Sequence, residues 1–240
     1  MEKHIYKSMN EASLTHWWFR ARENYLKQIL SKFVKNKNNK ILEIGIGTGA
    51  NIKILQKYGE VFGIDVSEQS INLVKEKFPN VKVYKKKFPS QSLDEKYHLI
   101  CLFDVLEHID NDEEALKKIN DLLIENGNLI ISVPAFNFLW SYHDEIHHHK
   151  RRYSKNDLKG LLISSGYKIE FCGYFNFLLF PLALIQRVLS KFTSLKNYDP
   201  YKKNFLNEIF FNIFNLESKM ITEKFPFGLS LIYVLRKEEN

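Results

Sequence analysis

Three groups of residues have the types and spacings that chemistry requires. The first is the run Leu42-Glu43-Ile44-Gly45-Ile46-Gly47-Thr48-Gly49. Glycines at alternate positions let a backbone approach a ligand with no Cβ in the way, and reach dihedrals closed to other residues. Alone, such a run is a weak signal, since a tight strand-to-helix turn also uses glycines. The second is Asp65, sixteen residues beyond Gly49. A carboxylate at that spacing can accept hydrogen bonds from two ribose hydroxyls. No Lys-Ser/Thr pair completes a phosphate loop. Glu43 sets a negative charge where a pyrophosphate would have to lie, so an α-amino group suits the site better. The third group is Asp104, Glu107 and His108, followed some forty residues later by His143, His147, His148 and His149. Asp104, Glu107, His108 and His149 offer oxygen and nitrogen to a hard divalent ion, Mg²⁺ or Mn²⁺. Without a metal, a histidine can remove a proton from an acceptor near neutral pH. His147 and His149 are the preferred bases and His108 a third candidate, while His143 and His148 are expected to support them or lie at the surface.

Hydrophobic periodicity supplies the elements that must position these groups. Leu14 to Val34 repeats at helical intervals, with a helix expected from about Ala21. Short strands are expected at Ile41–Ile44, Val61–Ile64, Val81–Tyr84 and Tyr97–Phe103, then at Leu129–Val133, where Pro134 breaks the pattern. Tyr167–Cys172 and Leu229–Leu235 complete the set. Helices are expected over Ala50–Tyr58, from the N-cap Ser67 to Lys77, over Asp112–Ile124, and from a capping box at Ser154 and Asp157 to about Ser165. Alternating strands and helices predict an α/β fold, with a mostly parallel sheet covered on both faces. More than fifty residues separate the last two strands, and Phe175–Phe192 and Phe205–Met220 within them read as apolar helices.

The 240 residues and 45% hydrophobic content suffice for one domain with a full core. Thirty-five Lys and Arg stand against 28 Asp and Glu, a net +7. Runs such as Lys35 to Lys40 and Lys82 to Lys87 fit a solvated face, and also the attraction of a phosphate-bearing substrate or an anionic membrane. No zinc-finger spacing or aromatic-basic sheet signature favours nucleic acid. Cys101 and Cys172 sit in apolar strands, as buried thiols of a reducing compartment do. Met1 to Asn10 lacks an apolar run, so no signal peptide is expected. Tyr174 to Phe192 is interrupted by Asn176, Pro181, Gln186, Arg187 and Lys191. That suits a lid or a surface-lying helix better than a bilayer span.

With Glu43 to Gly49, Asp65 and Phe103-Asp104-Val105-Leu106-Glu107-His108-Ile109 in view, the chain resembles class I S-adenosylmethionine-dependent methyltransferases. The likeness is to the ubiquinone-biosynthesis-like, type 11 and type 12 kind, and runs from about Lys40 to Cys172. It implies a doubly wound, Rossmann-like sheet of seven strands. Residues 1–38 would form an N-terminal helical cap, 40–173 the cofactor-binding core, 174–227 a helical insert and 228–237 the last strand. It further implies that Glu43, Gly45, Gly47 and Gly49 meet the amino-acid part of the cofactor. Asp65 would hold its ribose, with Val66, Phe88 and Phe103 lining the rest. The family's acid after the third strand is missing at Lys87 and Phe88, so a backbone carbonyl and the Phe88 ring are left to hold the adenine. Arg20 or Arg22 would pair with the methionine carboxylate or with a substrate phosphate.

The Asp-x-x-Glu-His spacing and the later His149 also resemble metal-assisted methyltransferases that act on hydroxyls. Trp17, Trp18, Arg22, Trp140, Tyr142, His143, Arg151, Arg152 and Tyr153 are expected to build the substrate site. Their placement resembles a branch of the family assigned to cell-surface or glycolipid methylation. The reaction implied is methyl transfer to a small-molecule, lipid-linked or saccharide acceptor, at oxygen. The expected setting is cytoplasmic, peripheral at the inner membrane surface, with the insert as lid, membrane contact or homodimer face. Two competing readings stand beside it: a cofactor-binding regulatory or assembly protein without turnover, and a nicotinamide oxidoreductase, which Glu43 and the Glu107-His108 motif disfavour.

Overall fold

The computed structural model describes residues 10–91, 93–190, 205–221 and 224–238. Residues 1–9 of the expected cap, and residues 191–204, 222 and 223 of the expected insert, lie outside the described residues.

Seven strands form one sheet: β1 (Asn39–Ile44), β2 (Gly59–Asp65), β3 (Lys82–Lys85), β4 (Tyr97–Phe103), β5 (Leu123–Pro134), β6 (Tyr167–Phe175) and β7 (Ser230–Lys237). Their order is β3-β2-β1-β4-β5-β7-β6. The first five run parallel to one another, and β7 is antiparallel to both β5 and β6. Chain order reverses beside β1, between β2 and β4. At such a switch point the loops leaving β1 and β4 diverge and open a crevice at the carboxyl ends of the strands.

Alternation of side chains along each strand sorts the core into two layers. Leu42, Ile44, Ile100, Leu102, Leu129 and Ile131 face one side. There they pack with Ala115, Leu116 and Ile119 of α4 (Asp112–Leu122) and with Leu158 and Leu162 of α6 (Lys155–Ser164). Ile41, Leu99, Cys101, Phe103 and Ile130 face the other side. They meet Tyr25, Leu26, Ile29 and Leu30 of α1 (Trp17–Phe33), Ile54 and Leu55 of α2 (Ile52–Leu55), and Ile71 and Val74 of α3 (Glu68–Lys77). The doubly wound α/β architecture, the N-terminal helical region and the helical insert before the last strand are all present. Cys101 and Cys172 are buried thiols outside any disulfide.

Several bounds differ from the sequence reading. The helix expected over Ala50–Tyr58 is a single turn, α2. The carbonyl of Tyr58 already accepts the N–H and side-chain amide of Asn39, which turns the chain straight into β2. Leu123, expected in the helix from Asp112, starts β5. That strand runs through Pro134, paired with Ser230, rather than stopping before it. A proline tolerates this terminal position because no further ladder donor is needed from it. β6 extends to Phe175, so the insert begins later than residue 174. Its described helices are α7 (Phe180–Ser190) and α8 (Asn207–Ser218). Among the described residues, no helix is long and apolar enough to cross a membrane.

Candidate active site

The glycine turn follows β1 at the switch point. Gly45 and Gly47 hold φ of 75° and 53°, values a Cβ disfavours. A Cβ on Gly45 would fall 2.4 Å from a Val105 methyl, whereas one on Gly47 would have a nearest neighbour 3.9 Å away. Gly47 therefore presents bare backbone to open space. Its N–H donates to Asp65 Oδ2 at 2.9 Å, and the Ser67 N–H donates to Oδ1 at 2.8 Å. Burial raises the Asp65 pKa, although the Ser67, Gly47 and Val66 N–H groups oppose the rise. The Asp65 carboxylate thus faces the glycine turn. Both border a cavity of about 1330 Å³ that Val66, Phe88 and Phe103 also line. The open cradle, the carboxylate beside it and the apolar rings beyond fit an adenosyl amino-acid cofactor. Gly49 is not on the cavity wall; its positive φ closes the turn against Ile52, Val74 and Phe78.

Glu43 also departs from the expectation that it meets the ligand. Strand alternation points it, with Ile41, to the α1 side, where it is buried and absent from the cavity wall. It accepts a 2.6 Å hydrogen bond from Asn51 Nδ2, while Oε2 has no hydrogen-bond partner among the described residues. Burial pushes its pKa up to about 7, despite the Asn51 hydrogen bond and nearby Arg22. On the same side, Asp104, held at φ 58° just after β4, does reach the cavity. Arg22 donates to its Oδ2 at 2.8 Å and the Ser132 hydroxyl to its Oδ1 at 3.2 Å. This pairing removes Asp104 from the expected metal set. Arg22 lines the cavity and keeps a buried Nε without a hydrogen-bond partner. Arg20, one residue off the α1 face that reaches inward, instead pairs with Glu208 at 2.6 Å and lies over the Phe211 ring. It is not a cavity residue.

Across the cavity, the short turn Leu106–His108 after β4 meets α5 (Tyr142–Ile146) and the loop that follows it. Glu107, His108 and His149 bring potential ligand atoms within 4.8 Å of one another. Glu107 is fully buried, and among the described residues neither carboxylate oxygen has a hydrogen-bond partner. Burial, and then the Asp104 charge, raise its pKa well above the carboxylate range. Two imidazoles beside an unsatisfied carboxylate make a donor set that fits a divalent cation.

His149 is fixed from behind. Its Nδ1 lies 2.9 Å from Asp144 Oδ1, and Arg152 donates to both Asp144 oxygens at 2.8 and 3.1 Å. Although burial pushes Asp144 upward, the His149 hydrogen bond and the Arg152 charge hold it well below the usual range. An ionised Asp144 accepts a hydrogen bond from His149 Nδ1, which turns Nε2 toward Glu107, 3.9 Å away. Burial lowers His108 to about 4, His143 to about 3 and His147 to about 2. These three are neutral at pH 7, and His147 is a far weaker base than its position in sequence suggested. All of them line the cavity, as does His148.

Of the expected substrate residues, Trp17, Trp18, Arg22, Tyr142, His143 and Arg152 line the cavity, whereas Trp140, Arg151 and Tyr153 do not. Arg151 pairs with Asp112 at 2.8 Å, and the Tyr153 hydroxyl donates to the same carboxylate at 2.9 Å. Both therefore brace the start of α4. Trp140 ends the turn Asn137–Leu139, outside the wall. The sequence reading passed over the ligand-facing parts of the insert. Asn176, Gln186 and Arg187 were noted only as interruptions of an apolar segment, yet all three line the cavity. That interruption was the available signal: polar residues that break an apolar helix on one side mark a second environment. Arg187 donates to the Leu139 carbonyl at 2.7 Å, and burial lowers its pKa to about 10.

Residues 18–170 match the model of a family described as a methyltransferase domain. The chain is 28% identical over 121 residues to an uncharacterized methyltransferase of Alkaliphilus oremlandii, covering 49% of this chain and 56% of that one. It is 31% identical over 118 residues to a ubiquinone biosynthesis O-methyltransferase of Pelagibacter ubique, covering 46% and 49%. The chain thus spans about half the length of these curated relatives. A chain from the complex of the Haloferax volcanii Trm112 methyltransferase activator with a methyltransferase superposes with a TM-score of 0.64. That match has 13% identity and covers 98% of this chain and 93% of that one, and so speaks for the fold.

Proposed function

Because the chain belongs to the methyltransferase-domain family, we propose that it transfers a methyl group from S-adenosylmethionine to a small-molecule acceptor, at oxygen. One observation carries the reading: the Asp65 carboxylate and the bare Gly47 backbone share one wall of a cavity whose other wall holds His149. When bound, the cofactor supplies a methyl group on a positively charged sulfur. Asp65 grips the ribose hydroxyls and the Gly45–Gly47 backbone flanks the amino-acid part. Arg22, one of the two arginines expected there, and Asp104, in place of Glu43, meet its carboxylate and amino group. Phe88 and Val66 cover the adenine.

His149, with its proton fixed on Nδ1 by Asp144, accepts the acceptor's hydroxyl proton at Nε2. Trp17, Trp18 and the α7 wall exclude water and align the acceptor, a contribution of several kcal/mol when reacting atoms are held in line, with roughly 7 or more in well-oriented cases. The choice of oxygen is supported by this base and by similarity to the O-methyltransferase relative.

A second reading of the same wall is favoured by the two unsatisfied Glu107 oxygens. Glu107, His108 and His149 would hold Mg²⁺ or Mn²⁺, which would lower the pKa of a bound acceptor hydroxyl.

Calorimetry with S-adenosylhomocysteine tests the cofactor site. Wild type should bind it, and Asp65→Ala should weaken binding by roughly tenfold or more, the scale of lost hydrogen bonds to a charged group. Equal affinity in the two proteins would refute the assignment. Running the wild-type titration and a methyl-acceptor screen with and without chelator separates the readings, since chelator-insensitive turnover leaves His149 as the base.

A further inference from the structure

Asn176 stands directly after β6, where the chain leaves the sheet for the insert. Phe175 before it is paired with Ser230, which is itself paired with Pro134, so Asn176 emerges at the carboxyl edge where Pro134 and Ser230 also line the cavity. Its backbone is left-handed, with φ 58°. The buried Glu217 of α8 fixes that turn by accepting the N–H groups of Phe177 and Leu178 at 2.9 and 2.8 Å. The residue is 1% exposed and lines the cavity, yet among the described residues neither Oδ1 nor Nδ2 has a hydrogen-bond partner.

Glycine would satisfy the left-handed backbone at least as well, so the turn does not account for the side chain. Nor does the fold gain from it, because a buried amide that pairs with nothing in the protein is destabilising. Apolar rings flank the turn, with the Glu217 carboxylate beside it. Phe175 stacks on Tyr25 and Phe214, Trp17 packs edge-on against Phe214, and Leu179 continues the cavity wall. An anion brought here would meet the Glu217 carboxylate beside the turn, and an ammonium offers no acceptor to the Nδ2–H group.

We propose that Asn176 is the specificity-determining contact for the methyl acceptor. It selects an uncharged group that sets a donor beside an acceptor, either a vicinal diol or an amide edge, on an apolar body. This inference rests on the methyltransferase reading above and deepens it. Nδ2–H donates to the acceptor's oxygen while Oδ1 receives its O–H or N–H. The apolar body lies along Trp17 and Leu179.

The test uses ¹⁵N-labelled protein saturated with S-adenosylhomocysteine, with the Asn176 side-chain resonance identified by its loss in Asn176→Gly. Both Asn176→Gly and Asn176→Asp tolerate the left-handed backbone. Three probes share a six-carbon ring: trans-cyclohexane-1,2-diol, cyclohexanecarboxamide and cyclohexylammonium. Saturable movement of the Asn176 resonance by the diol identifies a hydroxylated acceptor, and movement by the carboxamide an amide-bearing one. In either case the active probe should bind about tenfold more weakly to both variants. Cyclohexylammonium should leave the resonance in place. If neither neutral probe moves it, or the ammonium moves it equally, the inference is overturned while the cofactor assignment stands. If wild type does not bind S-adenosylhomocysteine in the parallel calorimetry, both are overturned.

Discussion

At the residue scale, Glu43 shows how a charge can serve the site from behind. Burial raises its pKa to about 7 from an ordinary value near 4.5. Between those values the folded protein holds a proton that the unfolded chain has released. Stability therefore falls as pH rises through that window, and the penalty is complete above pH 7. Glu43→Gln keeps the oxygen that Asn51 donates to and removes the ionisation. The variant should be more stable than wild type by on the order of 2–3 kcal/mol at pH 8, with the difference vanishing toward pH 4.5. Chemical denaturation across that range checks it, and a constant difference would exclude titration of Glu43 as the cause. The type and position of Glu43 were legible in sequence, but its direction was not. Which face of β1 carries α1, and so whether residue 43 meets ligand or helix, is decided by packing between segments far apart in the chain. The pairing of Asp65 with the glycine turn was legible because it is local, within one strand-turn-helix unit.

At the element scale, the sequence was clearest where a pattern and its stop signals agreed. Tyr97–Phe103 matches β4, and Ser67 caps α3 by accepting the Ser70 N–H at 3.3 Å. It was least clear where a contact between strands set the boundary, as at Asn39 and Tyr58. Two glycine substitutions separate the demands of a turn from those of a helix. Gly45→Ala meets both a positive φ and a Val105 methyl at 2.4 Å. It should lose about 2–4 kcal/mol of stability, backbone strain and overpacking together. Gly160 lies within α6, and an added Cβ there meets nothing within 4 Å. Gly160→Ala should gain about 0.5–1 kcal/mol, because alanine has the higher helix propensity and loses less chain entropy on folding. Urea denaturation of the two proteins reads both values. Similar shifts in both would mean that the tightness of the glycine turn is not what distinguishes these positions.

At the scale of the whole molecule, the first helix and the insert act as one cover, although about 190 residues of chain lie between them. Asn207 accepts the Trp17 N–H at 2.8 Å and donates to the Thr15 carbonyl at 3.1 Å. Asn24 and Asn215 are joined at 2.8 Å, and Trp17 packs on Phe210. Asn207 is buried at the start of α8, so its amide spans the joint between the two elements. Asn207→Ala leaves the Trp17 N–H and Thr15 carbonyl without their partners, at a cost of roughly 1–3 kcal/mol. That loss falls on the cover, because the sheet residues of β1 and β4 make no contact through Asn207 in the hydrogen-bond network. Hydrogen exchange should therefore accelerate at the start of α1 and in α8, while β1 and β4 amides slow-exchange as in wild type except where they report global unfolding. S-adenosylhomocysteine at a hundred times its Kd should restore about 2.7 kcal/mol to the global stability of both proteins. If it also slows exchange at Trp17 in wild type more than in Asn207→Ala, the joint carries cofactor binding from the core to the acceptor wall. Uniform acceleration over sheet and cover alike would show instead that Asn207 supports the fold as a whole, with no separate cover to loosen.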